Sequence, residues 1–186
     1  MAFDAQPVLR SDRLLLRPLE ADDYKGLHAA ASDPETWAGH PAKNRHESEV
    51  FRPYFNFLLR AGGTLGIEDV SAEHIIGCSR YYTAPDMPCS ISIGFTFLNH
   101  RYWGGAWNFE LKKLMLGHAF QSFDEVWFHI DPTNIRSQTA TRRLGAEHVY
   151  DIGLDLSGVE APWKCYRLQK AAWESVVAAR DRQAVS

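Results

Sequence analysis

Apolar and polar positions alternate along this chain in patterns that separate strands from helices almost throughout. The run RLLLRPL at 13–19 reads as a strand ended by Pro18, and the acidic stretch Glu20, Ala21, Asp22 and Asp23 then offers caps for a short helix over 24–31. Asp33 and Pro34 start a second helical turn that reaches Trp37 and breaks at Gly39, His40 and Pro41. A third helix is predicted over 48–59, shortened or kinked by Pro53, with Gly62 and Gly63 closing the helical region. Strands follow over 64–70 and 75–82 around a polar turn at 71–74. A proline-containing loop at 83–88 leads into a further strand over 90–98.

The most regular helical pattern covers 107–120, where Phe109, Leu111, Leu114, Met115, Ala119 and Phe120 recur near helical period and mark a face for packing on a sheet. A short buried strand is predicted at 125–130, then a capping turn at Asp131, Pro132, Thr133 and Asn134, then a helix over 135–144 stopped by Gly145. Two strands, 147–152 and 163–168, flank a glycine-containing loop at 153–162, and an amphipathic helix over 171–180 follows. No internal repeat is present.

Between the strand at 90–98 and the helix at 107–120 lies the tight turn Arg101, Tyr102, Trp103, Gly104, Gly105, Ala106. A turn of this kind aims unpaired backbone N–H groups at a helix N-terminus, where the helix dipole favours an anion such as phosphate. An ordinary glycine-containing strand-to-helix connection has the same local signature.

Composition narrows the class. At 186 residues with 45% hydrophobic content the chain suits one α/β domain with a sizeable core. A formal net charge of −3 gives no global basic field, so nucleic acid held by bulk electrostatics is not expected. Cys78, Cys89 and Cys165 are widely spaced and form no zinc motif with nearby Cys or His, so reduced thiols and no metal are expected. The first residues lack the apolar segment of a signal peptide, and no apolar run approaches the roughly 20 residues that span a bilayer, so a cytoplasmic protein without membrane contact is expected.

Taken in order, the strand, the Arg-x-x-Gly-x-Ala turn, the helix, the next strand, and Asn134-x-x-Ser137 on a helix ending Leu144-Gly145-Ala146 resemble the GNAT superfamily of acyl-CoA-dependent N-acetyltransferases. The LLLRPLEAD start at 14–22 and the Tyr-Trp-Gly turn are similar to the branch that includes the ribosomal-protein N-terminal acetyltransferases. The match spans about 10–173 of a single domain over 1–186. The resemblance implies an α/β (α+β) fold with a mixed, mostly antiparallel central sheet that splays open and is flanked by helices. It implies acetyl-CoA as co-substrate and transfer of the acetyl group to a primary amine, a peptide N-terminus or a small molecule, by direct attack. A non-catalytic acyl-CoA-binding module is the alternative, and a homodimer is compatible with the sequence without being specified by it.

The resemblance also assigns roles. Arg101, Tyr102, Trp103, Gly104, Gly105 and Ala106 match the pyrophosphate-binding turn, where small residues let backbone approach phosphate oxygens. Asn134 matches the residue that contacts the pantetheine arm or orders the site, although Asn at a helix start also serves simply as a cap. Ser137 is the candidate acid for the departing thiolate, and a backbone N–H of the strand 91–97 the candidate oxyanion donor. Two positions depart from the pattern: Thr141 stands where many members carry a tyrosine, and Ser92 where this branch often has a glutamate before Ile93-Gly94. The base therefore stays open among Asp131, His129, His100 and a bound water, with Glu110 read as a helix-start partner. Trp37, His40 and Tyr54, from the segments that cover the acceptor groove in the family, are the substrate-binding candidates, with aromatic burial in the core the competing role.

Overall fold

The computed structural model describes residues 3–184. Eight strands form, β1 (Leu9–Arg10), β2 (Leu14–Pro18), β3 (Thr64–Asp69), β4 (His74–Tyr82), β5 (Ile91–Leu98), β6 (Glu125–Ile130), β7 (Glu147–Asp155) and β8 (Glu160–Gln169). Five α-helices accompany them, α1 (Tyr24–Ala31), α2 (Ser48–Ala61), α3 (Trp107–Ala119), α4 (Ile135–Arg142) and α5 (Lys170–Ala184). The strands hydrogen-bond in the order β1-β2-β3-β4-β5-β6-β8-β7 as one open, mostly antiparallel sheet, with β5 and β6 parallel. This is the mixed α/β class expected. Among the described residues no helix is long and apolar enough to cross a membrane. The chain divides into two compact units, residues up to 82 with 93–119, and 83–92 with the residues from 120 onward.

In the first unit, β2 pairs antiparallel with β3 through Leu16 opposite Ile67. Leu14 and Leu16 are fully buried, while Arg17 on the other side of the strand binds Glu68 and Asp23. The acidic stretch caps a single 3-10 turn, Ala21–Asp23, ahead of α1, where the Asp23 carboxylate accepts from the Glu20 N–H at 2.8 Å; α1 itself begins without a side-chain cap. Helix α2 buries Phe51, Phe55 and Leu58, an i, i+4, i+7 stripe, against Leu27, Trp37, Ile75, Cys78 and Phe97. Fully burying side chains of this size contributes about 1.5–3 kcal/mol each. Pro53 does not end the helix, which runs on to Ala61. Its ring lies on the exposed face, where the carbonyl that loses its N–H partner faces water instead of core.

In the second unit, β6 pairs antiparallel with β8, and β8 with β7, placing His129 opposite Cys165 and Tyr150 opposite Cys165 on the other side. The expected loop at 153–162 is mostly strand. Gly153 pairs with Pro162 and Leu154 with Ala161, leaving only 156–159 as the connection, in which Gly158 takes a left-handed φ of +97°. This end of the hairpin is largely solvent-exposed, so no hydrophobic alternation announces it. Helix α5 likewise extends to both sides of the predicted 171–180.

Candidate active site

Three local devices set the turn after β5. Asn99 begins it: its carboxamide oxygen accepts from the Arg101 N–H at 3.1 Å, and its Nδ2 donates to the Ala30 carbonyl at 2.9 Å. Tyr102 is held from below by a hydroxyl bond to Asp69 at 3.1 Å, with His74 Nε2 at 3.3 Å, and its ring meets Trp107 edge-on. Trp103 donates its indole N–H back to the Leu98 carbonyl at 2.9 Å. Burial works against charge on Asp69, yet donors from Ser71, Tyr102 and Ala72 hold its carboxyl below the usual range. The anchor is thus an ionised acceptor at neutral pH.

Beyond these anchors the chain opens. Gly104 sits at φ +74°, a conformation that costs other L-residues roughly 1–2 kcal/mol. Gly104, Gly105 and Ala106 are exposed, and their N–H groups donate no hydrogen bond among the described residues. The Ala106 carbonyl already accepts from Glu110 N, so the helical ladder of α3 starts at once behind them. Three N–H donors without a partner among the described residues thus stand ahead of a 13-residue helix, an arrangement whose local field favours an anion. Glu110, in the first turn, is engaged by the Ser11 hydroxyl and by Arg13 at 2.6 Å, as suits a helix-start partner.

The same unit gathers Trp37, His40 and Tyr54. Trp37 is 1% exposed and donates to the Ala31 carbonyl at 2.8 Å, so its indole is part of the core. His40 and Tyr54 are half-buried; the His40 ring packs edge-on against Trp37, and the Arg45 guanidinium lies 3.8 Å over the Tyr54 ring. The Tyr54 hydroxyl donates to the Phe95 carbonyl at 3.5 Å. Phe95 has φ +52° in the middle of β5, a local distortion that re-aims the peptide groups of that strand. Arg45, Asp69, His74 and the Phe95 distortion carry no spacing signal, because each acts on a residue remote in sequence or through the backbone alone.

In the second unit Asn134 caps α4. Its Oδ1 accepts from Ser137 N at 3.1 Å, while its Nδ2 donates to nothing among the described residues. Capping therefore uses only half of the carboxamide and leaves a donor for a ligand carbonyl, so the two roles weighed for Asn134 do not exclude each other. Ser137 is half-buried and its hydroxyl makes no hydrogen bond among the described residues. Gln138 fixes the turn before the helix by donating to Pro132 O at 2.8 Å while accepting from the Tyr166 hydroxyl. Asp131 is occupied by the Thr133 N–H and hydroxyl, and His100 in the first unit lies beside Asp33 and Thr36. Thr141 is buried, and Ser92 is fully buried with a hydroxyl that finds no partner.

Residues 13–147 match the model of an acetyltransferase (GNAT) domain. Among solved structures, a GCN5-related N-acetyltransferase from Brucella melitensis aligns over 95% of this chain and 85% of its own, with a TM-score of 0.78 at 14% identity. An acetyltransferase of the GNAT family from Bacillus anthracis aligns over 89% and 99%, with a TM-score of 0.67 at 16% identity. RimJ from Mycobacterium smegmatis, solved in complex with CoA-disulfide, aligns over 93% of each chain, with a TM-score of 0.63 at 17% identity. The likenesses carry the fold, and the domain match extends through most of the sequence. The chain belongs to the GNAT family of N-acetyltransferases, enzymes that move an acyl group from acyl-CoA to an amine.

Proposed function

We propose that this enzyme transfers the acetyl group of acetyl-CoA to a primary amine, a peptide N-terminus or a small metabolite, by direct attack of the neutral amine on the thioester. The observation that carries the reading is the exposed turn with Gly104 in a left-handed conformation and three open N–H groups at the start of α3. These donors take the pyrophosphate, with Arg101 beside them and Tyr102 and Trp103 bracing the backbone. Asn134 offers Nδ2 to a carbonyl of the pantetheine arm, and Ser137 offers its hydroxyl to the thiolate. An amide of β5 near the Phe95 distortion stabilises the developing oxyanion.

In the direct step the amine nitrogen bonds to the carbonyl carbon, the C–S bond breaks, the amine proton passes to solvent water, and the thiolate takes a proton through the Ser137 hydroxyl, which takes one back from solvent. Ser92 supplies no carboxylate, which is why a water is assigned the base role. His40 and Tyr54 face the acceptor, with Trp37 as the wall beneath them. Their aromatic character suits a partly apolar amine or the first side chains of a peptide.

Release of free CoA thiol from acetyl-CoA, followed across small amines and peptides with free and blocked N-termini, tests the proposal. Turnover is expected only with a free primary amine. Turnover confined to hydroxyl or thiol acceptors overturns the acceptor class, and tight acetyl-CoA binding without turnover on any acceptor overturns the transfer itself.

A further inference from the structure

The second unit carries a cluster that the transfer reaction does not use. On the sheet, His129 of β6 and Tyr150 of β7 are each paired with Cys165 of β8, so three adjacent strands present their side chains in one row. The loop between β4 and β5 lays Asp86 against that row. Its Oδ2 accepts from the Tyr150 hydroxyl at 2.6 Å, and its Oδ1 stands 3.5 Å from His129 Nε2. The ligand atoms of Asp86, His129 and Cys165 all lie within 4.8 Å of one another. The His129 side chain is fully buried, that of Asp86 is 9% exposed, and Cys165 is buried. Asp86 Oδ1 is sealed from solvent yet has no hydrogen-bond partner among the described residues.

We propose that Asp86, His129 and Cys165 bind a divalent transition ion of the zinc class, which pins the loop at 83–90 to β6 and β8. One carboxylate oxygen, one imidazole nitrogen and one thiolate are all ligands that zinc takes, and three protein ligands with a water in the fourth position is a four-coordinate arrangement it adopts. Bonds of roughly 2.0–2.3 Å place tetrahedral ligand atoms about 3.3–3.7 Å apart, so the Asp86–His129 separation already fits and Cys165 closes by about an ångström. Charge also balances: a dication meets one carboxylate and one thiolate, and the thiol proton is released to solvent on binding. The Tyr150 hydroxyl orients the carboxylate from its outer side, the supporting role that such ligands usually have. Because the ligands are drawn from positions 86, 129 and 165, no sequence spacing reveals them.

The test uses the full chain carrying Cys89→Ser, since Cys89 is the exposed thiol and would confuse a sulfur signal. After chelation and removal of the chelator, the protein is titrated with cobalt(II) and then with zinc(II). Uptake of one cobalt equivalent with thiolate-to-cobalt charge-transfer absorption, displaced by zinc and accompanied by a higher Tm, is the expected result. Asp86→Asn, which keeps shape and fold, is expected to weaken binding at least tenfold, and Tyr150→Phe by about 10–100-fold. Cobalt uptake without a sulfur band, or no uptake by the folded protein, overturns the proposal and leaves the cluster as an Asp86–Tyr150 hydrogen bond beside a buried histidine.

Discussion

Ser137 and Lys112 show how differently single side chains report themselves. Ser137 is visible as a letter three places after Asn134, and the structure adds that its hydroxyl is uncommitted. Ser137→Ala should lower kcat by about tenfold with little change in acetyl-CoA affinity, because a thiolate is already a fair leaving group and general-acid help then falls below its usual 10²–10⁴ range. An unchanged kcat and pH–rate profile would remove Ser137 from the chemistry. Lys112 gives no sign in the sequence of its state. It is buried in α3 with Nζ donating to Thr96 Oγ1 at 3.2 Å, and burial lowers its ammonium from 10.5 to about 7. Between those values the unfolded chain holds a proton that the folded chain has lost, so stability rises with pH across that window, and the cost of burying the charge is fully present below about pH 7. Lys112→Met should therefore raise Tm most at and below neutral pH, with the gain shrinking toward about pH 10. Parallel Tm curves for the two proteins would contradict a buried, depressed ammonium.

At the scale of elements, α3 and the turn ahead of it depend on segments distant in sequence. Its start is tied to the chain before β2 by Ser11 and Arg13 acting on Glu110, and the turn is braced by Asp69 at the end of β3. Glu110→Gln should cost about 1–2 kcal/mol, since it weakens a charge-assisted contact and leaves Ser11 a poorer acceptor. Urea denaturation measures that loss, while the pH dependence of kcat/KM stays unchanged. Loss of the low-pH limb would make Glu110 the base after all. Helix α3 and strand β6 were legible because periodicity and turn chemistry agree there. The β7–β8 hairpin was misread as a long loop because main-chain pairing at an exposed end needs no apolar alternation. Pro53 was expected to disturb α2, but a proline on the solvent face forfeits a hydrogen bond that water replaces.

For the whole molecule, binding of acetyl-CoA to the native state alone must stabilise it by mass action. At a ligand concentration of 100 times Kd the gain is about 2.7 kcal/mol, or roughly 5–10 °C in Tm for a chain of this size. Gly104→Val is the matching control. A Cβ at that position meets nothing within 4 Å, so the fold is kept, yet φ +74° is strained for a β-branched residue and the cradle is lost. The variant should fold with a Tm lowered by a few degrees through that strain and show little or no further shift with acetyl-CoA; an undiminished shift would make the turn a mere connection. By itself the sequence determined the order of elements, the glycine turn ahead of α3 and the cap at Asn134, because these rest on local signals: periodicity, glycine and capping chemistry within a few residues; the mixed sheet with its flanking helices was legible only through the resemblance of the ordered motifs to the GNAT family. Only the tertiary structure decided that Asp69 and His74 hold Tyr102, that Trp37 belongs to the core while Tyr54 lies under Arg45, and that Asp86, His129 and Cys165 meet. Those relations join residues far apart in the chain, and strand register and packing set them.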